Sequence, residues 1–270
     1  MSKFAKLHGK QQAMRSLVQF MWWFRNWKEV FDGYRGRSVM PPLQIRSGPT
    51  LFHEPSDDAI GLFREVFIDR CYAGADFYDP KPHHVVLDLG ANIGTTMLYL
   101  SWRAPGIRIH CFEPMSRTRS KLEENVRKNR LEKPVTIHAE AISDHNGLVR
   151  LYSAASSKDG STIPSEFTSA ETTEEANCIT LQEARTRCDL PHIDLLKIDV
   201  EGAEIEILSA NPEKSLAGVD RVAVEFHDHF RPGCLDSIQR ALRLSGFANP
   251  TVEYSADGRP LGILRAKRRL

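Results

Sequence analysis

A chain of 270 residues, 41% of them hydrophobic, can bury one α/β domain of ordinary size together with an appendage. Its formal net charge of +1 supplies no broad field to attract a nucleic-acid backbone, which sets nucleic acid aside as a partner. The five cysteines (Cys71, Cys111, Cys178, Cys188, Cys234) are odd in number and contain no CxxC pair, which argues against a disulfide framework and a zinc knuckle and for a reducing, cytoplasmic setting.

Residues 1–50 read as a basic extension ahead of a main domain at 51–270. Within it, residues 1–37 hold Lys3, Lys6, Lys10, Arg15, Arg25, Lys28, Arg35 and Arg37 against only Glu29 and Asp32. Leu17, Phe20, Phe24, Trp27 and Phe31 fall at spacings of 3, 4, 3 and 4, which predicts an amphipathic helix. The uncharged run from Ser16 to Phe24 is well short of the roughly 20 residues a membrane span needs. Such a helix would cap the domain, make a dimer contact, or lie on an anionic membrane surface.

A polar helix is expected over Asp57 to Cys71, and Pro80 to Pro82 then breaks the chain before a buried strand, Val85 to Leu89. Helix Thr95 to Trp102, a strand over 107–112 ending at Glu113-Pro114, helix Ser116 to Arg130 and strand Val135 to Ala139 follow. Ser153 to Ala176 interrupts the rhythm with a run of Ser and Thr, the composition of a surface loop or a lid. Strand Leu195 to Asp199, a helix after Gly202, strand Val219 to Phe226 and helix Leu235 to Ser245 resume it, and Thr251 to Tyr254 with Leu261 to Ala266 suits a closing antiparallel hairpin. Alternation of this kind predicts a mostly parallel sheet with helices on both faces.

In such a sheet ligands sit beyond the carboxyl ends of the strands, where Asp88 to Gly90, Glu113-Pro114, Ala139 to Ile142, Asp199 to Glu201 and Glu225 to Asp228 stand. Gly90 and Gly94 flank a turn that lets backbone approach a ligand. Glu113, 23 residues after Gly90 at the end of the next strand, is placed to accept hydrogen bonds from both hydroxyls of a ribose. A dinucleotide fingerprint would need glycine where Asn92 and Thr95 stand, and no P-loop lysine follows Gly94. Asp88 would repel phosphates but suits a ligand carrying an ammonium and a sulfonium, such as S-adenosylmethionine.

DLGANIG (Asp88 to Gly94), FEP (Phe112 to Pro114), AISDHNG (Ala141 to Gly147), Thr180-Leu181 before a short helix and, above all, DLLKIDVEGAE (Asp194 to Glu204) resemble the FkbM family of S-adenosylmethionine-dependent methyltransferases. The resemblance covers roughly residues 60–230. It implies a Rossmann-like class I methyltransferase fold with a seven-stranded sheet, and O-methylation of a hydroxyl on a sugar, glycan, glycolipid or secondary metabolite. It also implies that Asp88, Gly90, Asn92 and Gly94 surround the methionine portion of the cofactor, Glu113 its ribose, and Ala141-Ile142 its adenine. Ala91 and Pro114, inside the same strings, complete the candidate cofactor-binding set.

A hydroxyl is a weak nucleophile while protonated, so positioning should be assisted by a base. Asp199, Glu201, Glu204, His227 and Asp228 are candidates. Asp199 ends its strand nearest the meeting point of cofactor and acceptor. Glu201 could hold acceptor hydroxyls, and Glu204 could complement a helix dipole. His227, which would share a strand face with Glu225 and His229, is the preferred general base because histidine titrates near neutrality. No recognised ligand spacing selects a metal among them. His83-His84 reads as surface and Cys111 as core. The competing functions are a non-catalytic S-adenosylmethionine-binding protein and an NAD-dependent oxidoreductase.

Overall fold

A computed structural model describes residues 17–74, 76–153, 160–161, 172–229, 231–255 and 258–269. Lys3, Lys6, Lys10, Arg15 and most of the Ser/Thr-rich stretch lie outside them.

The N-terminal periodicity does not produce one helix. Residues 17–23 (α1) and Trp27–Tyr34 (α2) are helical with a break between them. Asn26 holds the break open: its Nδ2 donates to Pro42 O (2.9 Å) and its Oδ1 accepts from Gln44 N (3.1 Å), while Arg25 N donates to Gln44 O (2.8 Å). A short polar side chain that bonds backbone competes with the helix in this way. The apolar spacing survives because Phe20, Phe24 and Val30 enter one core, each worth about 1.5–3 kcal/mol of burial. Val18, Met21 and Trp22 are exposed. Among the described residues no helix is long and apolar enough to cross a membrane.

Leu43–Gln44 (β1) and Thr50–Leu51 (β2) pair antiparallel. In place of one helix to Cys71, Ala59–Phe63 (α3), capped by Asp58, widens into a π-helical turn at Arg64–Ile68. The main series is Val85–Leu89 (β3), Thr95–Arg103 (α4), Arg108–Phe112 (β4), Ser116–Lys128 (α5) and Val135–His138 (β5). Ala141–Ser143 (β6), Gly147–Ser153 (β7), Gly160–Ser161 (β8), Thr172–Thr180 (β9) and Leu181–Arg187 (α6) come next. Leu195–Ile198 (β10), Glu204–Ser209 (α7), Pro212–Ser215 (α8), Arg221–His227 (β11), Cys234–Leu244 (α9), Phe247–Tyr254 (β12) and Leu261–Arg268 (β13) complete the chain.

The principal sheet has seven strands in the order β12-β13-β11-β10-β3-β4-β5. From β11 to β5 neighbours are parallel, and β13 runs antiparallel to both β11 and β12. Alternate residues feed opposite cores: Val85, Leu87 and Leu89 join the cluster under α6 to α9, and Val86 joins the one under α3 to α5. Strand order reverses between β3 and β10, which sets the ends of these two strands at the crevice a ligand can enter.

Two further expectations fail. The described end of the Ser/Thr-rich stretch is strand rather than loop. β9 pairs with β7 from Ser153↔Thr172 to Gly147↔Cys178, in a second sheet of order β6-β9-β7-β8. Ala176 and Cys178 turn inward while Thr173, Glu175 and Asn177 face solvent, so a half-buried strand was concealed by its polar face. Glu174 also accepts from Ser116 N (3.1 Å), placing an acid at the start of α5. His84 is not a surface residue. Half-buried at the foot of β3, its imidazole lies 3.2 Å from Tyr78 Oη and 3.5 Å from Asp194.

Fully buried Asn125 on α5 joins three segments. Its Nδ2 donates to Phe52 O and to Ile93 O (both 2.8 Å), and its Oδ1 accepts from Phe52 N (2.8 Å). Asn129, one turn on, completes the clamp by bonding both backbone groups of Thr50.

Candidate active site

β3 ends in a turn built on backbone geometry. Gly90 has φ +73°, and a Cβ there would meet Asp199 O at 1.7 Å, so only glycine lets β3 pass against the end of β10. Gly94 (φ +88°) opens α4, where a Cβ would strike Leu122 and Met97. Gly90 N and Ala91 N both donate to Phe112 O, fastening the turn to β4. Glu113, buried one residue beyond β4, accepts from Asn92 N (2.9 Å, Oε2) and Met115 N (3.0 Å, Oε1). Burial outweighs those two amides and pushes its carboxyl up to about 7.

The strand register assembles the charged half of the site. Lys197 lies opposite Asp88, and Ile198 opposite Val224, which brings the next residues, Asp199 and Glu225, side by side on the same face. Lys197, itself buried, holds its Nζ 3.1 Å from Asp88 Oδ1, 3.4 Å from Asp199 Oδ2 and 2.6 Å from Gly90 O. Burial disfavours the ammonium, but the two aspartates override it and raise its pKa. Tyr72 Oη stands 3.1 Å from Asp199 Oδ2, 3.1 Å from Glu225 Oε2 and 3.5 Å from Glu65 Oε1. Burial opposes ionisation of Asp199, yet Lys197, His227 and the Tyr72 hydroxyl hold its carboxyl below the ordinary range. Burial, then the Asp199 charge, drive Glu225 well up and Glu65 upward. Glu225 is thereby driven toward its neutral form, and Tyr72 Oη bridges it to Asp199 within hydrogen-bond distance of both carboxyls.

His227 is not the neutral base its residue type suggested. Its Nδ1 lies 2.8 Å from Glu204 Oε1 and its Nε2 3.2 Å from Glu201 Oε2. Burial alone would lower its pKa, but the bond to Glu204 and the charges of Glu204, Glu201 and Glu225 raise it to about 10, so the ring is an imidazolium at neutral pH. Glu204 is fully buried and also accepts from Gly202 N (2.9 Å), so it holds His227 rather than merely facing a helix dipole. Asp228 turns away to accept from Leu235 N (3.1 Å) at the start of α9.

An open pocket, whose roughly 720 Å³ of empty space includes solvent at its mouth, joins both halves. Of the expected residues, Gly90, Asn92, Glu113, Pro114, Ala141, Ile142, Asp199 and Glu201 line it. Asp88, Ala91, Gly94 and His227 are not in its lining. Asp88 is spent on Lys197 beneath the turn, and burial raises its pKa despite that partner, so it offers no open carboxylate to a cationic ligand. Phe112, Met115, Thr118, Glu140 and Leu151 add lining the sequence did not announce. Lys197 did leave a signal, as a lone charge within an apolar strand of LLKI. Tyr72 and Glu65, from a remote segment, left none.

The family profile of the methyltransferase FkbM domain matches residues 88–244, which include the glycine turn, Glu113 and the whole charged cluster except Tyr72 and Glu65. The chain belongs to the FkbM methyltransferase family. It is an S-adenosylmethionine-dependent methyltransferase on the Rossmann-like class I fold. Two curated relatives illustrate the membership. The 31-O-demethyl-FK506 methyltransferase FkbM of Streptomyces tacrolimicus is 27% identical over 77% of this chain and 89% of its own length. Methyltransferase sdnD of Sordaria araneosa is 27% identical over 73% and 85%. The fold is shared with the crystal structure of a methyltransferase FkbM from Methylobacillus flagellatus KT, at a TM-score of 0.51 and 11% identity. The match takes in 94% of this chain, which spans 59% of that protein's length.

Proposed function

We propose that this FkbM-family enzyme methylates a hydroxyl oxygen of a small metabolite or a sugar. The observation that carries the reading is Asp199, an ionised carboxylate that lines the same cavity as Glu113 and is held there by Lys197 and Tyr72. The donor set fits S-adenosylmethionine, which supplies an electrophilic methyl group when bound. Each oxygen of Glu113 accepts one backbone amide and keeps lone-pair capacity for a ribose hydroxyl. Phe112, Ala141 and Ile142 offer an apolar wall for a base, and Gly90 and Asn92 approach with backbone.

Asp199 Oδ2 is engaged by Tyr72 and Lys197, which presents Oδ1 to the acceptor hydroxyl. A carboxylate held below its ordinary pKa is a weak base, and a weak base suffices here: as the oxygen bonds to carbon its O–H becomes strongly acidic, and the proton leaves late. Glu201, fixed by the His227 imidazolium, orients the acceptor. Oxygen as the target atom is supported by the S. tacrolimicus relative, whose name specifies an O-demethyl substrate.

The test is transfer of labelled methyl from S-adenosylmethionine into extracts fractionated as glycans, lipids and small metabolites. A base-stable label is expected, whereas a label released as methanol by mild alkali would indicate a carboxyl acceptor and overturn the reading. With the acceptor in hand, Asp199→Asn should lose about 10²–10⁴-fold in kcat while cofactor affinity, read by calorimetry, stays within about threefold.

A further inference from the structure

Away from the cavity lining, at the open edge of the principal sheet, His110 on β4, His138 at the end of β5 and Cys188 just after α6 converge. His110 Nδ1 lies 3.2 Å from His138 Nε2, and Cys188 Sγ lies 3.6 Å from the same nitrogen. The three side chains offer ligand atoms that all fall within 4.8 Å of one another. Tetrahedral zinc, with Zn–N near 2.0–2.1 Å and Zn–S near 2.3 Å, separates two imidazole nitrogens by roughly 3.3 Å and a nitrogen from a thiolate by roughly 3.6 Å. The two spacings about His138 Nε2 match these values, and the third lies within 4.8 Å. We propose that His110, His138 and Cys188 bind a borderline-soft divalent cation of the zinc class, with water in the fourth position.

Two imidazoles and a thiolate select that class over Mg²⁺ or Ca²⁺, which take oxygen ligands. The set is pre-shaped: His138 stacks on Phe112 at 4.3 Å and 12°, fixing its ring, and the His110 ring lies within 14° of parallel to it. On binding, the Cys188 S–H proton passes to solvent as the S–metal bond forms, both imidazoles coordinate in their neutral form, and no group is oxidised or reduced. The negative charge of Glu140 acts on both His138 and Cys188 and would favour the cation. The ion would fasten β5, the edge strand, to the segment leaving α6, behind the Phe112 wall of the cofactor cavity.

The full chain, stripped with chelator and kept reduced, is titrated with Co²⁺ and then Zn²⁺. One equivalent of Co²⁺ should give tetrahedral d–d bands and a near-ultraviolet thiolate-to-metal charge-transfer band, both removed by Zn²⁺. Cys188→Ser should abolish the charge-transfer band, and Cys188→Ser and His138→Gln should each weaken Zn²⁺ affinity at least tenfold, whereas Cys178→Ser should leave both unchanged. A charge-transfer band that is absent, or that survives Cys188→Ser, overturns the site. X-ray absorption on the Zn²⁺-loaded wild-type chain tests it without any variant: one sulfur in the first shell is expected, and a shell of nitrogen and oxygen alone would instead point to sets such as Asp199, Glu201 and His227.

Discussion

The two halves of the cavity recognise by different means. The cofactor half is backbone turned outward at glycines, apolar wall, and one carboxylate, Glu113, held by the amides of Asn92 in the turn and Met115 just before α5. The acid half is a dense set of ionisable side chains, Glu65, Tyr72, Lys197, Asp199, Glu201, Glu204, Glu225 and His227, in which the charges of Asp199, Glu225 and His227 depend on their neighbours. The first carries a single titrating carboxylate among backbone and apolar groups, whereas the second is a shared proton inventory with one lysine at its base.

Removing that lysine should break the contrast most severely. Lys197→Met leaves Asp88 buried without its cation and frees Gly90 O, so unfolding free energy should fall by about 3–5 kcal/mol, read by urea denaturation. Adding Asp88→Leu should restore most of the loss, because replacing both members of a buried pair with apolar groups is close to neutral. A single variant as stable as wild type would show that the two halves do not share this foundation.

A smaller effect follows from Glu113, whose pKa in the folded chain, about 7, stands above its ordinary value of 4.5. A raised carboxyl contributes stability that is complete below pH 4.5 and is lost as pH rises through about 7, a difference of about 3 kcal/mol. Relative to Glu113→Gln, the cofactor-free wild type should therefore lose stability across that window. Its affinity for S-adenosylmethionine should rise over the same window as the carboxylate forms. Denaturation and calorimetry at pH 5, 6, 7 and 8 would check both signs; parallel stability curves for the two proteins would remove Glu113 from the account.

Tyr72→Phe should have the smallest effect, about 1–2 kcal/mol of stability, because Lys197 still holds Asp199 and a protonated Glu225 keeps its neutral form. Its diagnostic is the tyrosine itself. Burial and the neighbouring acids push its phenol far up, so alkaline difference spectra of wild type and variant should coincide until the chain unfolds.

The same division governs what could be read from the sequence. Val85–Leu89, Leu195–Ile198 and their following helices were legible because strands buried on both faces are continuous apolar runs. The glycine turn and Glu113 were legible because they lie close in the chain. The second sheet was not, since Thr172–Thr180 shows solvent a polar face and is paired by residues on another strand. The helix break at Asn26 was hidden because Phe20 and Phe24 keep helical spacing while sharing a core that does not need one helix. The partners of Asp199 escaped notice for a related reason: Tyr72 is 127 residues away, and only strand register and the packing of the segment after α3 bring it in. His110, His138 and Cys188 are scattered likewise, so no ligand spacing marked them.

The Asn125 carboxamide bonds Phe52 on one side and Ile93, inside the glycine turn, on the other. Opening either segment releases bonds of the same side chain. The loop before α3 and the turn of the cofactor pocket should therefore open together, and cofactor binding is expected to slow the opening of a contact that no ligand touches. In kinetic terms, amide exchange at Phe52 should slow when the cofactor binds, although Phe52 is outside the pocket lining.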